Sequence, residues 1–315
     1  MSTSSPLVDR LLAGDIRALS RLITRVEDRD ADVLGLMERL WSHRGSARIV
    51  GVTGPPGAGK STFVDRAIRR WRAAGDRVAV LAVDPSSPFT GGAILGDRVR
   101  MQAHAADPGV FIRSLGTRGH HGGLTRTTLE AAVLCAAAGF PRVLVETVGV
   151  GQTELEVVGL ADIVLVLLVP EAGDVIQTLK AGLLEGADVF AVNKADRPGA
   201  DVLVRELRLL GEERAASGEV DVPVFSVSAH TGAGLDDLFA VLEERTDPGA
   251  PVTRRRLSPR ALTARIVAQE RAEAVRRRAE AALAPGGSHE AVGEALDAEA
   301  TNPYAAVRAL LDAGL

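Results

Sequence analysis

Gly54-Pro55-Pro56-Gly57-Ala58-Gly59-Lys60-Ser61, followed by Thr62, is the stretch that decides the fold. It fits the G-x-x-x-x-G-K-[ST] pattern of a phosphate-binding loop. The run before it, Arg48 to Val52, reads as a strand, and the residues after it carry helical spacing. Strand, glycine-rich turn and helix N-terminus in immediate succession give the pattern its meaning. Glycines let backbone N–H groups converge on phosphate oxygens, and the helix start adds partial positive charge. Lys60 would then reach the β- and γ-phosphates, and the Ser61 hydroxyl would ligate Mg²⁺. Pro55 stands where the deviant loop of dimeric ATPases carries a second lysine, which argues against that group.

Outward from this loop, short apolar runs alternate with helical stretches. The further strand candidates are Val78 to Val83, Val110 to Arg113, Arg142 to Glu146, Ile163 to Val169, Val189 to Val192 and Val222 to Val227. Several are apolar almost throughout, as expected where helices cover both faces of a sheet. The pattern predicts an α/β fold of the P-loop NTPase type, with a mostly parallel, doubly wound sheet whose strand order the sequence leaves open. Residues 47–250 form this predicted core. Residues 1–46 read as a helical extension, with Leu11, Leu19, Leu22, Val33, Leu36 and Leu40 among its periodic apolar positions. Residues 251–315 read as a helical arm suited to dimerisation, with Leu262, Ile266 and Val275 facing inward and Asn302-Pro303 opening a last helix.

Composition limits the classes. The chain has 315 residues, with 37 Lys and Arg against 41 Asp and Glu for a net charge of −4, which argues against a nucleic-acid binder. The arginine-rich stretch from Arg254 to Glu280 carries no aromatic residue to stack on bases, so a solvated helix face is the expectation there. The single cysteine, Cys135, excludes an intramolecular disulfide. No run approaches membrane-span length and the N-terminus lacks signal-peptide features, so a cytoplasmic protein is expected.

At the end of the run Val189 to Val192 stands Asn193-Lys194-Ala195-Asp196. Alone, it suits an ordinary polar turn equally well. The Asp196 carboxylate can accept from guanine N1–H and the 2-amino group together, and adenine offers neither donor. The Asn193 amide can meet the other edge of the base, and the Lys194 stem can pack along the ring. Ser228-Ala229-His230-Thr231-Gly232-Ala233-Gly234 follows another strand and matches the GTPase loop whose N–H groups meet guanine O6. Three motifs in this order predict a site for GTP or GDP.

Asp84 ends a strand and opens a long loop through Asp97, and both are candidates to hold Mg²⁺ directly or through water. Asp97 suits a plain surface acid nearly as well. Glu146-Thr147-Val148-Gly149 resembles a D-x-x-G switch with Glu in place of Asp. Val150 follows, where many small GTPases place a water-orienting Gln, so slow intrinsic hydrolysis is expected. Arg98 and Arg118 suit surface positions better than transition-state contacts, and His120-His121 reads as a polar loop pair.

The stretch Val83-Asp84-Pro85-Ser86-Ser87-Pro88-Phe89-Thr90-Gly91-Gly92-Ala93-Ile94-Leu95-Gly96-Asp97-Arg98-Val99-Arg100-Met101 resembles the switch region of the MeaB/ArgK GTPases. So do Gly116-Thr117-Arg118-Gly119-His120 and Glu146-Thr147-Val148-Gly149-Val150-Gly151-Gln152; His121 departs from the apolar residue expected there. The resemblance runs over essentially the whole chain. It implies a homodimeric GTPase of the SIMIBI class that loads, protects and reactivates adenosylcobalamin-dependent methylmalonyl-CoA mutase. By the same matching, Lys60, Ser61, Asp84, Asp97 and Glu146 fall on phosphate and Mg²⁺ positions, with Lys60, Glu146 and Asp84 as the catalytic candidates. Asp196 and Ser228 to His230 fall on base positions. Asp174 and Lys180 fall in a switch that relays nucleotide state to the mutase. A nickel-delivering GTPase is the competing class, disfavoured by one Cys and six scattered His. A kinase of a periplasmic amino-acid-binding protein is a third.

Overall fold

The computed structural model describes residues 5–45, 47–84, 102–104, 106–116, 123–147, 153–170, 183, 185–216, 218, 222–246, 259–298 and 300–312. The chain divides into two compact units, Met1–Arg256 and Leu257–Leu315.

The first unit opens with α1 (Ser5–Leu12), α2 (Ile16–Glu27) and α3 (Val33–Leu40). Asp15 caps α2: its side chain accepts from the N–H groups of Arg17 at 2.8 Å and Ala18 at 3.2 Å, using two donors the helix start leaves over. Then come β1 (Arg48–Thr53), α4 (Lys60–Ala73), β2 (Val78–Asp84), β3 (Val110–Gly116), α5 (Gly123–Ala137) and β4 (Arg142–Thr147). After these follow α6 (Thr153–Leu160), β5 (Ile163–Leu168), β6 (Val189–Val192), α7 (Ala200–Ala216), β7 (Val224–Ser226) and α8 (Leu235–Arg245).

The seven strands form one sheet in the order β3-β2-β4-β1-β5-β6-β7, every pair parallel. Both faces are covered, which is why β5 is buried at every position. The pleat sorts its side chains by period two. Val164, Val166 and Leu168 enter a core shared with α1, α2, α3, α5, α6 and α7. Leu165 and Leu167 enter the opposite core, with Phe63, Ile68 and Trp71 of α4 and Leu238 and Phe239 of α8. There Phe63 stacks on Phe239 at 5.4 Å and Trp71 meets the same ring edge-on at 6.4 Å.

The N-terminal helices are also held by buried charge. Arg29 Nη1 and Arg126 Nε both donate to Glu130 at 2.7 Å, and Arg113 pairs with Glu27. Removing one partner of such a buried set costs roughly 3–5 kcal/mol, so these contacts fix where α2 sits on α5 and β3.

The second unit holds α9 (Pro259–Leu283), α10 (Glu290–Asp297) and α11 (Pro303–Asp312). Asn302 Oδ1 accepts from Ala305 N at 2.9 Å, so the expected cap before Pro303 is present. Leu262 and Ile266 are half-buried, but Val275, expected to face inward, is 49% exposed. The packing of α9 concentrates at its C-terminal end, where a Cβ on Gly293 would lie 2.1 Å from the Leu283 carbonyl oxygen. No helix among the described residues is long and apolar enough to cross a membrane.

Candidate functional site

The central strand β1 ends at the glycine-rich loop, at the carboxyl edge of the sheet where open α/β folds bind ligands. Gly54 has φ +138°, and a Cβ there would lie 2.0 Å from the Leu167 carbonyl oxygen of β5, a backbone atom that cannot yield. Gly59 has φ +89°, and its Cβ would lie 2.2 Å from Asn193 Nδ2. Both positions therefore require glycine, one to turn against a strand and one to let the base-side motif approach. Lys60 opens α4, is buried, and donates from Nζ to the carbonyls of Gly54 at 2.7 Å and Pro55 at 3.0 Å. Its ammonium thus folds back onto the carbonyls at the start of the loop, on the residue that opens α4.

Ser61 Oγ donates to Glu146 Oε1 at 2.7 Å, and Glu146 is 2% exposed at the end of β4. A hydroxyl and a carboxylate brought together beside a phosphate loop are hard oxygen donors, and that chemistry fits Mg²⁺. One residue further along each strand, Thr147 Oγ1 donates to Thr53 Oγ1 at 3.0 Å, locking the ends of β4 and β1 together inside the protein. Asp84 closes β2. Its side chain lies outside the described residues, as do Asp97, Arg98, Arg118, His120, His121, Val148 to Gln152, Asp174 and Lys180.

At the other end, Asn193 follows β6 and is 3% exposed. Its Nδ2 donates to the Ala58 carbonyl at 2.7 Å and its Oδ1 accepts from Ala229 N at 2.8 Å. One side chain ties the phosphate loop to the Ser228–His230 loop, a role beyond the base contact suggested by sequence. Lys194 is left-handed at φ +57°, a conformation costing a non-glycine residue about 1–2 kcal/mol. Flanking bonds hold it: Asn193 N to Leu168 O at 2.8 Å, and Ala195 N to Val227 O at 3.0 Å. Asp196 is exposed beyond that turn, Ser228 and Ala229 are buried, and His230 is exposed.

Three residues that the motifs passed over complete the frame. On α4, Asp65 Oδ1 lies 2.7 Å from His104 Nε2, so the helix grips the chain just after the 85–101 segment. Burial pushes the Asp65 carboxyl up, but bonds from Arg69 and His104 outweigh it and hold the group below its ordinary value. The next residue, Arg66, points to the base side and donates from Nε to the Ala229 carbonyl at 3.0 Å. These partners are 39 and 163 residues away in sequence, and no local pattern marks them.

Comparison with known proteins converges on one family. Residues 19–282 match the family model described as methylmalonyl-CoA mutase-associated GTPase MeaB. A Pyrococcus horikoshii protein described as a GTPase is 47% identical over 247 residues, covering 78% of each chain. The GTPase ArgK of Escherichia coli is 42% identical over 62% of this chain and 60% of its own. The mitochondrial methylmalonic aciduria type A homolog of Mus musculus is 42% identical over 62% of this chain and 48% of its own. Among solved structures, a LAO/AO transport system kinase superimposes with TM-score 0.66 at 24% identity, covering 99% of this chain and 98% of that one, a likeness of fold. A phosphate loop, a guanine-type base motif and a family match across most of the sequence lead to one conclusion: the chain belongs to the MeaB family of GTPases, related to ArgK and to the methylmalonic aciduria type A protein.

Proposed function

We propose that this chain hydrolyses GTP slowly with Mg²⁺ and uses the cycle to chaperone an adenosylcobalamin-dependent methylmalonyl-CoA mutase or a related acyl-CoA mutase. Loading of the mutase cofactor, its protection and its reactivation are the tasks, carried out in the cytoplasm by a homodimer. The observation that carries the reading is the family match over residues 19–282, whose description names the mutase association. Exposed Tyr304, Val307 and Leu311, spaced to share a face of α11, support the C-terminal unit as the dimerisation arm.

The roles of the residues follow from their chemistry. Lys60 would exchange its carbonyl partners for β- and γ-phosphate oxygens as α4 presents its first N–H groups to the same anion. Ser61 and Glu146, with Asp84 and Asp97, would hold Mg²⁺, which when bound neutralises charge on the phosphates. Asp196 would accept from guanine N1–H and the 2-amino group. Val150 in place of a water-orienting Gln leaves hydrolysis dependent on groups that move or arrive with a partner.

The direct test measures GTP turnover and nucleotide affinity with and without a purified cobalamin-dependent acyl-CoA mutase. The expected outcome is faster turnover and an affinity shift of about 5- to 150-fold, the usual range of coupling between sites. Changing Asp174 or Lys180 should remove the stimulation while leaving basal turnover. A matched mutase that alters neither quantity overturns the chaperone reading.

A further inference from the structure

In the loop after β7, the backbone N–H groups are engaged within the chain with two exceptions among the described residues. Ser228 N donates to Ala233 O at 2.9 Å and Gly232 N to Ser228 O at 2.8 Å. Ala229 N donates to Asn193 Oδ1 at 2.8 Å, Thr231 N to Ser228 Oγ at 3.4 Å, and Ala233 N to Thr231 Oγ1 at 3.3 Å. The exceptions are His230 and Gly234, both exposed, and Gly234 is the residue that caps α8 rather than part of the 228–230 segment. Within the base segment 228–230, the His230 N–H therefore remains as the donor to offer to a base.

That N–H does not orient itself. It shares a rigid planar peptide unit with the Ala229 carbonyl, and the two point in opposite directions. Arg66 Nε donates to this carbonyl at 3.0 Å, and Arg66 Nη2 donates to the next one, that of His230. A planar guanidinium holding two successive carbonyls sets the tilt of the peptide unit between them, because its donors are fixed relative to each other. Arg66 sits on α4, less than two turns after Lys60, so the helix that begins at the phosphates also aims the base-side loop.

We propose that Arg66 is a positioning residue for guanine selectivity, gripping the Ala229 and His230 carbonyls so that the His230 N–H meets the 6-oxo group of the base. Guanine carries an acceptor at that position and adenine carries an amino donor, which would oppose the N–H. The inference rests on the assignment of residues 228–230 to the base. It adds a share of selectivity separate from that of Asp196, which faces the N1–H and 2-amino edge.

The test compares equilibrium binding of GDP, 6-thio-GDP, IDP and ADP to the full-length protein and its variants. Sulfur is a weaker acceptor than a carbonyl oxygen, so 6-thio-GDP probes the His230 contact. IDP lacks the 2-amino group and probes Asp196. The wild type should prefer GDP to 6-thio-GDP by about 3- to 10-fold, the net worth of one neutral hydrogen bond. Arg66→Ala should bring that ratio close to one while keeping the preference for GDP over IDP, a split that general loosening of the fold would not produce. Arg66→Lys, able to hold one carbonyl, should fall between. Arg69→Ala, which removes an exposed partner of Asp65, should leave both ratios unchanged. An Arg66→Ala protein with the wild-type ratio of GDP to 6-thio-GDP overturns the proposal. If that variant fails to fold, a wild-type ratio in Arg66→Lys overturns it. A wild type that binds ADP as tightly as GDP overturns the base-loop assignment itself, a different failure.

Discussion

The two ends of the nucleotide site are built by different means. The phosphate end is eight consecutive residues, Gly54 to Ser61, held by its own backbone, two positive-φ glycines facing other elements, and Lys60 bonding to its own loop. The base end has no comparable unit. It is assembled from the turn after β6, the loop after β7 and a side chain of α4, and long side chains join them: Asn193 across 135 residues to Ala58, Arg66 across 163 to Ala229. A contiguous loop packed against neighbours fails by backbone strain. A strapped assembly fails by losing a side chain. Variants at the two ends should therefore fail differently.

The largest effect is expected from Gly54→Ala. Its Cβ would meet a β5 carbonyl at a φ that alanine avoids, so destabilisation on the order of 3 kcal/mol or more and loss of binding should appear together. Thermal melts with and without GTP would check this; normal stability would contradict the strain account. Lys60→Ala should instead weaken triphosphate binding by at least about a hundredfold while the fold persists, since its charge serves the phosphates. Turnover at the wild-type rate by a folded variant would break the assignment of the phosphate end.

Asn193→Ala tests the strap between the ends. It removes the partners of two buried backbone groups, at about 1–3 kcal/mol for each group left unsatisfied, so stability and binding should fall for every nucleotide. Calorimetry of melting alongside GDP titration reads both. Asp196→Asn acts on the base alone: Asn offers xanthine the acceptor and donor it needs, moving preference from GTP toward XTP. Because Asp196 is exposed, the change should be about ten- to a hundredfold, below the limit for a sealed pocket. Competition with GTP, XTP and ATP decides it. The smallest effect is expected at Cys135, on the buried face of α5, where burial pushes the thiol up. A thiol reagent at neutral pH should leave it unmodified in folded protein, and labelling of any variant would report a disturbed core.

The same contrast explains what could be read from sequence. All seven strand segments were legible as apolar runs, which are buried throughout in β5 and β6 and only partly covered in β3 and β7. The limits were less so: β3 runs to Gly116, past the expected Arg113, because Arg113 and Ser114 hide a strand whose backbone pairs fully with β2. The β7 ladder is shorter than the run from Val222 to Val227, since an edge strand can bury Val222 without pairing it. Strand order was not legible, because the neighbours of β1 are β4 and β5 and nothing near Arg48 announces them. In the candidate site, Lys60, Ser61 and Asp196 stood out because the motifs that suggest their roles are short and contiguous. Glu146 was suggested by likeness to a D-x-x-G switch and by the family resemblance, and its bond to Ser61 spans 85 residues. Arg66, Asp65 and the His104 contact carry no local signature and emerge only from the folded chain.

The central place of β1 has a consequence for synthesis. The strand that carries the phosphate loop pairs with β4 and β5, and Ile49 N bonds the Asp162 carboxylate 113 residues later. A nascent chain leaving the ribosome holds the finished motif long before it holds the neighbours that give it shape. At roughly 5–20 residues per second, that interval is about 6–20 s. Until β4 emerges the strand before the Gly54–Ser61 segment has no sheet neighbour, and until β5 emerges it has only one. A ligand that binds the assembled site stabilises the sheet only once β4 and β5 flank β1, and not the isolated motif.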